Sequence, residues 1–380
     1  MFDRTYVGLD VHAQNVVACA LDTATGEIVR DKMACDPVAV TAWLERFDPE
    51  HLQVVYEAGP TGFGLARHLR LHGIDCVVAA PSKLLRAPGD RVKTDKRDAM
   101  GLARILSLGQ ITQVRVPTLG QEGLRDLSRA RMAAAKDLAH CRQRINSLLL
   151  RHGLHYPEKS RWTSPHLAWL GRQRFDSTAT ASTLESYLEQ QVLLMQHLKR
   201  LEAEITEQAK NSEYAQVINA LMCFRGIDIT TAYGLAVEIS DWTRFTGSSI
   251  GAYLGLVPSE HSSGASRAQG PITKAGNTYA RRLLVEAAWQ HDRPFRRPGT
   301  RLLRQLQLVD SATRIRALEG NRRLHRAWER FNARDKLRTK ANTAIARELA
   351  GWCWSVAAPL QQAVQDKAWP VPEGAAMNAA

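Results

Sequence analysis

The chain has 380 residues, 44% of them hydrophobic and 23% charged, enough apolar material for two or three cores and too much for a mainly disordered chain. No run approaches the ~20 apolar residues of a membrane helix, and the opening Met1-Phe2-Asp3-Arg4-Thr5 lacks the basic-then-apolar pattern of a signal peptide, so a cytoplasmic protein with no membrane partner is expected. The six cysteines lie far apart with no C-x-x-C pair, against a zinc knuckle or disulfide framework, and the net charge of +13 points to a polyanionic partner, nucleic acid above all.

The chain opens with three β-rich runs, at 5–11, 15–21 and about 27–33, read as an antiparallel meander. A helical pattern at 38–47, a strand at 52–57, a helix at 62–72 ending at Gly73 and a strand at 74–79 follow. A polar loop, 81–93, then leads into a helix at 95–108. The order βββαβαβα predicts a mixed sheet flanked by helices. Residues 1–115 carry 14 basic and 14 acidic side chains and are neutral as a block.

Residues 116–175 hold 11 basic and 4 acidic side chains. They open with a long amphipathic helix, about 119–152, on which Arg125, Arg129 and Arg142 are candidate phosphate contacts and Leu124, Leu127, Leu138, Ile145 and Leu148 form the apolar stripe. Residues 153–180 read as irregular. A second long helix, about 181–210, repeats Leu184, Leu188, Gln191, Met195 and Leu198 at near-heptad spacing, which suggests a helical hairpin or coiled coil within the chain or with a second copy. Residues 176–250 are acidic, with 10 acidic and 5 basic side chains. In them, Arg225-Gly226-Ile227-Asp228 opens an apolar helix near 229–239, either a plain helix-to-helix turn or one whose backbone N–H groups face a phosphate. Residues 251–380 hold 21 basic and 10 acidic side chains, with helices over 300–355 and a frayed end at 368–380.

The acids of the neutral head attract chemistry. Asp10 sits mid-strand between Leu9 and Val11, where a carboxylate is costly to bury without a partner or a metal. Glu57 ends a second strand, and Asp95 and Asp98 begin a helix on one face. Each alone has a bland explanation: a turn residue, a strand-end charge, a helix cap. Together they make an all-oxygen ligand set for Mg²⁺, with Mn²⁺ as the alternative, able to support phosphoryl transfer. In the Ser/Gly-rich loop 258–276, Arg267, Lys274, Arg281 and Arg282 would stabilise a phosphate, and a serine would attack phosphorus if its proton were removed. From composition alone, a flexible loop whose serines only bind backbone phosphates is the favoured reading.

These residues resemble the DEDD insertion-sequence transposases related to the Piv DNA invertases, understood as bridge-RNA-guided recombinases. The resemblance rests on Val7-Gly8-Leu9-Asp10, Tyr56-Glu57-Ala58-Gly59-Pro60-Thr61-Gly62 and Lys93-Thr94-Asp95-Lys96-Arg97-Asp98-Ala99. It continues through Tyr253-Leu254-Gly255-Leu256-Val257-Pro258, Ser263-Gly264, Ile272-Thr273-Lys274-Ala275-Gly276 and Arg281-Arg282-Leu283-Leu284. It implies an α/β RuvC-like (RNase H-like) catalytic domain at 1–115, a long-helix coiled-coil region at 116–212, a mainly helical C-terminal transposase domain at 213–360 and a disordered tail at 361–380. It assigns the four metal-binding acids to Asp10, Glu57, Asp95 and Asp98 and the nucleophile to Ser263, with Ser262 and Ser266 as fallbacks because Ala265-Ser266 replaces a frequent second glycine. It further implies Mg²⁺-aided cleavage through a 5′-phosphoserine link, a guide RNA, donor and target DNA, and dimers assembling to a tetramer.

Three other readings compete. A RuvC-like Holliday-junction nuclease would share the acids but use water, leaving the serine loop and basic C-terminal region unused. A sugar-kinase or actin-like ATPase would follow its strand aspartate with Gly or Thr, whereas Val11 and His12 stand here. A non-catalytic RNA-binding protein would leave the acids unexplained.

Overall fold

Alternating apolar side chains at 5–11 and 52–57 build the centre of a five-stranded sheet. The computed structural model describes residues 4–81, 95–260 and 269–368, without the side chains of Asp95, Lys96 and 365–368. The chain divides into two compact units, Met1–Gly120 and Gln121–Ala380.

The first unit holds β1 (Thr5–Val11), β2 (Asn15–Asp22), β3 (Ile28–Ala34), β4 (Leu52–Glu57) and β5 (Asp75–Ala79), with α1 (Pro37–Leu44), α2 (Gly64–Leu71) and α3 (Asp95–Ser107). The strand order is β3-β2-β1-β4-β5, with β1 antiparallel to β2 and parallel to β4. This is the mixed sheet with flanking helices that the sequence predicts. One sheet face buries Val7, Leu9, Val54 and Tyr56 in a cluster with Trp43 and Leu44 of α1 and Leu69 of α2. The other buries Val55 and Val77 against Leu102 and Leu106 of α3, and Val17 and Cys19 against Ala99 and Met100.

The side-chain period of two puts Tyr6, Gly8 and Asp10 on this second face. Gly8 is what lets α3 lie on the sheet. A Cβ there would collide with the Ala99 carbonyl oxygen and stand 2.7 Å from the Ala103 nitrogen.

The second unit begins with α4 (Leu119–Arg151), whose first residues lie at the division, and continues through α5 (Ser164–Gly171), α6 (Thr178–Asn211), α7 (Ala215–Leu221), α8 (Ile229–Ile239) and α9 (Ser249–Tyr253). A ribbon follows, β6 (Pro258–Glu260) and β7 (Gln269–Ile272), then α10 (Thr278–Ala288), α11 (Thr300–Gln307), α12 (Ser311–Asn332) and α13 (Arg338–Ala368). Hydrogen bonds from Arg131 to Glu202 and from Arg144 to Gln190 show that α4 and α6 run antiparallel. Cys141, Ile145, Leu148 and Leu149 bury against Leu170 and Leu184 between them.

Leu170 belongs to α5, a helix inside the stretch read from sequence as irregular. Pro165 in its first turn and the buried Leu170 account for it. The C-terminal end differs too. Helix α13 runs past 361, where the tail is expected to begin, because Gln361 is bonded into the fold: its Oε1 accepts from the Trp242 N–H at 2.7 Å and its amide donates to Ser240 O. Residues 369–380 lie outside the described ones.

The main core of this unit joins Phe224, Tyr233, Trp242 and Trp328 with Ile345, Leu349 and Cys353 of α13. All six cysteines are free, and burial pushes the Cys223 thiol up to about 12, so it packs as a neutral apolar group. Among the described residues no helix is long and apolar enough to cross a membrane.

Gly8→Ala is expected to destabilise the chain by roughly 1–3 kcal/mol or more, through a collision with helix backbone that cannot yield. Gly101→Ala, on α3 itself, meets nothing within 4 Å and is expected to stabilise by about 0.5–1 kcal/mol. Urea unfolding midpoints of the full chain check the opposite signs.

Candidate active site

Leu9 pairs with Tyr56 across the parallel strands. The next residues, Asp10 and Glu57, are therefore lateral neighbours at adjacent strand ends, about 5 Å of strand spacing apart. Glu57 is two residues beyond Val55 and so shares the face that carries α3. The direction of α3 follows from its contacts. Its later residue Leu106 clusters near Tyr6, while its early residue Ala99 clusters with Val17, the pairing partner of Asp10. The helix start therefore lies toward the Asp10 end, and Asp98 is adjacent to Ala99, which touches Gly8.

The fold thus directs Asp10, Glu57 and Asp98 to one end of one sheet face from three separate elements. Asp95 is the first residue of α3, and its side chain is outside the described residues. Among the described residues, no three His, Cys, Asp or Glu side chains are grouped closely enough to hold a metal ion. The donor chemistry nonetheless suits a hard divalent cation: every candidate ligand is a carboxylate oxygen.

The sequence reading misses one neighbour. His12 Nε2 lies 3.1 Å from Asp10 Oδ2, with the Asp10 side chain only 21% exposed. The available signal was spacing, since residues two apart on an extended segment share a side.

The serine-bearing segment is reached through a ribbon. Pro258 pairs with Ile272 and Glu260 with Gln269, so the ends of the stretch read as one loop are in fact strands. His261, Ser262, Ser263, Ser266 and Arg267 lie outside the described residues. The foot of the ribbon is a tight crossing. Gly255 (φ 64°) and Gly276 (φ 70°) take left-handed conformations, and a Cβ on either would strike backbone atoms, of Ala275 and Tyr253 respectively. Lys274 is also left-handed (φ 54°), an unfavourable geometry for a non-glycine residue, and its side chain is exposed.

Arg281 spans this crossing. It is buried and donates to Leu254 O, Ala275 O and Thr278 Oγ1 at 2.9–3.1 Å. The expected phosphate contact is thus a brace for the ribbon. Arg129, itself exposed, makes a two-point pair with Glu238, whose side chain is 1% exposed and also accepts from Asn277. Arg125 donates to Val237 O, Arg142 stacks over Trp162 at 4.8 Å, and Arg282 pairs with Glu286 on the surface. The turn at Gly226 packs against the Ala287 carbonyl, and the Asp228 carboxylate caps α8 by accepting from Thr231 N at 2.8 Å. With a carboxylate on that helix start, the turn is structural and does not face a phosphate.

Residues 7–154 match the DEDD transposase domain of IS110 elements, an RNase H-like domain, and residues 218–299 match the transposase IS116/IS110/IS902 family. The chain is 40% identical over 368 residues to y4qE of Sinorhizobium fredii, a transposase by name, covering 95% of this chain and 90% of that one. It is 31% identical to the transposase for insertion sequence element IS1533 of Leptospira borgpetersenii, covering 78% and 87%. The sheet is thus that of a DEDD-type transposase domain. The chain belongs to the IS110/IS116/IS902 transposase family and is a DNA transposase.

Arg281→Ala is expected to lower the melting temperature clearly, since it leaves three acceptors unmatched at a tight crossing. Arg282→Ala should change stability by no more than ~1 kcal/mol, as exposed ion pairs do. Thermal unfolding of the two variants side by side distinguishes brace from surface charge.

Proposed function

We propose that this transposase cuts and rejoins DNA by a serine-linked, Mg²⁺-dependent, RNA-guided reaction, with Mn²⁺ as an alternative ion. The observation that supports the reading is the crossing of α3 over β1 at Gly8 together with the parallel β1–β4 register, by which Asp10, Glu57 and Asp98 lie toward one end of one sheet face. Asp10, Glu57, Asp95 and Asp98 would hold the divalent cation. Bound there, it would polarise a phosphoryl oxygen and stabilise its developing charge.

Ser263 then attacks phosphorus. Its Oγ–P bond forms as the bond from phosphorus to the 3′ oxygen breaks, and the proton lost by the serine is balanced by the one gained at the new 3′-OH. The 5′-phosphoserine link keeps the phosphate energy for rejoining after strand exchange. Serine is a weak nucleophile at its ordinary pKa, so reaction waits until the acid cluster and Ser263 meet in an assembled complex. In this reading the acids and the serine come from different subunits of a dimer, and a tetramer holds donor and target DNA. Residues 1–115 form the acid domain, 116–212 the long-helix, coiled-coil region and 213–360 the serine domain. Arg267, Lys274, Arg282, Arg125 and Arg142 are the proposed phosphate contacts. Sequence choice comes from a paired guide RNA, by analogy with other guided systems, and the enzyme works in the cytoplasm on nucleoid DNA.

The test is incubation of the full chain with Mg²⁺, element-end DNA and the flanking noncoding RNA. A covalent protein–DNA adduct is expected, lost in Ser263→Ala and on chelation, with Asp10→Ala and Asp98→Ala both inactive. Mixing Ser263→Ala with Asp10→Ala should restore partial activity. Cleavage without an adduct would instead mean a water-using nuclease of the Holliday-junction type, and loss of the adduct in Ser262→Ala alone would move the nucleophile by one position.

A further inference from the structure

A cavity of about 1240 Å³ opens in the second unit beside the β6–β7 ribbon, and α9, α12 and α13 contribute to its walls. Its lining is divided by chemistry. Helix α13 presents Lys340, Thr343, Arg347, Gly351 and Trp354 at steps of three or four residues, one face of a helix. Lys336 precedes that helix, so cations gather at its start and aromatic rings lie further along. Phe331 and Trp352 add two more half-buried rings. Among the described lining residues the one acid, Glu348, is paired with Arg323 at 2.9 Å.

The rings are held in place. Trp354 donates from Nε1 to Phe245 O at 2.9 Å, and Gly247 is small enough to let the ring lie beside it. Trp352 has the Arg316 guanidinium over its ring at 4.5 Å and Gly320 close by. Arg347 extends across Gly251, where a Cβ would stand 3.1 Å from its Cγ. Side chains already fixed by the fold lose little further entropy on binding. Lys336 and Lys340 are exposed at the same cavity.

We propose that this cavity binds unpaired nucleotides of a nucleic-acid strand, with bases against the Trp352, Trp354 and Phe331 rings and phosphates on Lys336, Lys340 and Arg347. Fixed aromatic faces beside cations are the general recipe for single-strand binding. A duplex keeps its bases stacked inward and offers only phosphates, so it cannot use recessed rings. The volume exceeds the ~300–1,000 Å³ usual for a small-molecule site, leaving room for more than one nucleotide. Both ribbon strands line the cavity through Pro258, Gln269 and Ile272. The strand held there therefore lies beside the route to the serine segment, a consequence that rests on the nucleophile reading above.

The test uses full-length Ser263→Ala protein in EDTA, so that binding is read without cleavage and its failure is separable from failure of the serine mechanism. Fluorescence anisotropy is measured with labelled oligo-dT, oligo-U and a duplex hairpin. Lys336→Glu/Lys340→Glu should weaken single-strand binding by about tenfold or more, with a much smaller loss for the duplex. Thr343→Trp, which fills the cavity without changing charge, should give a similar selective loss. Arg301→Glu/Arg304→Glu, an equal charge change on the exposed face of α11, should weaken all probes slightly and equally. A larger effect on oligo-dT identifies a DNA strand, and on oligo-U an RNA strand. Equal losses for the cavity pair and the α11 pair, or for duplex and single strand, would overturn the proposal, as would a Thr343→Trp protein that binds normally.

Discussion

At Gly8 there is room for a hydrogen atom and nothing larger. The carbonyl of Ala99 and the backbone nitrogen of Ala103 occupy the space where any side chain would go, and both facing residues are themselves alanine. That contact sets the height of α3 above the sheet, and α3 carries Asp98. Because β1 carries both Gly8 and Asp10, one close approach governs packing and acid placement together. A larger residue at 8 would push away the helix that brings the third carboxylate. The parallel register of β1 with β4 does the remaining work by setting Glu57 beside Asp10.

The second unit uses a comparable economy around its ribbon. Gly255 and Gly276 let two chain segments cross at backbone distance, and Arg281 bridges the carbonyls exposed there. Its burial is tolerable because it donates to three oxygen acceptors, Leu254 O, Ala275 O and Thr278 Oγ1. The strong positive charge of this half divides into cations that hold the fold, such as the buried Arg281, and cations facing solvent or the cavity, such as Lys336 and Lys340.

Much of the first unit was readable in advance. Its strands bury both faces, so the runs at 7–9 and 54–56 are apolar and unmistakable, and a carboxylate interrupting such a run stands out because burying it is costly. The contribution of Gly8 was not readable, since a glycine in a strand looks like weakness until its helix is in place. The roles of the arginines were hidden for a different reason. Arg129 meets Glu238, and Arg281 meets Leu254, partners distant in sequence that no local pattern reveals. The ribbon was hidden because three- and four-residue strands carry too little periodicity to declare themselves. Helix α5 was short enough for its Trp and Arg neighbours to mask it.

The central claim is that three elements of the N-terminal unit converge their carboxylates on one cation. Mn²⁺ binding to the full chain, followed by electron paramagnetic resonance in the absence of nucleic acid, tests it most directly. The account predicts a protein-bound Mn²⁺ population that Asp10→Asn, Glu57→Gln and Asp98→Asn each deplete, while Asp75→Asn, an acid on the neighbouring β5 at its opposite end, leaves it intact. Equal Mn²⁺ binding by the wild type and all four variants would contradict it.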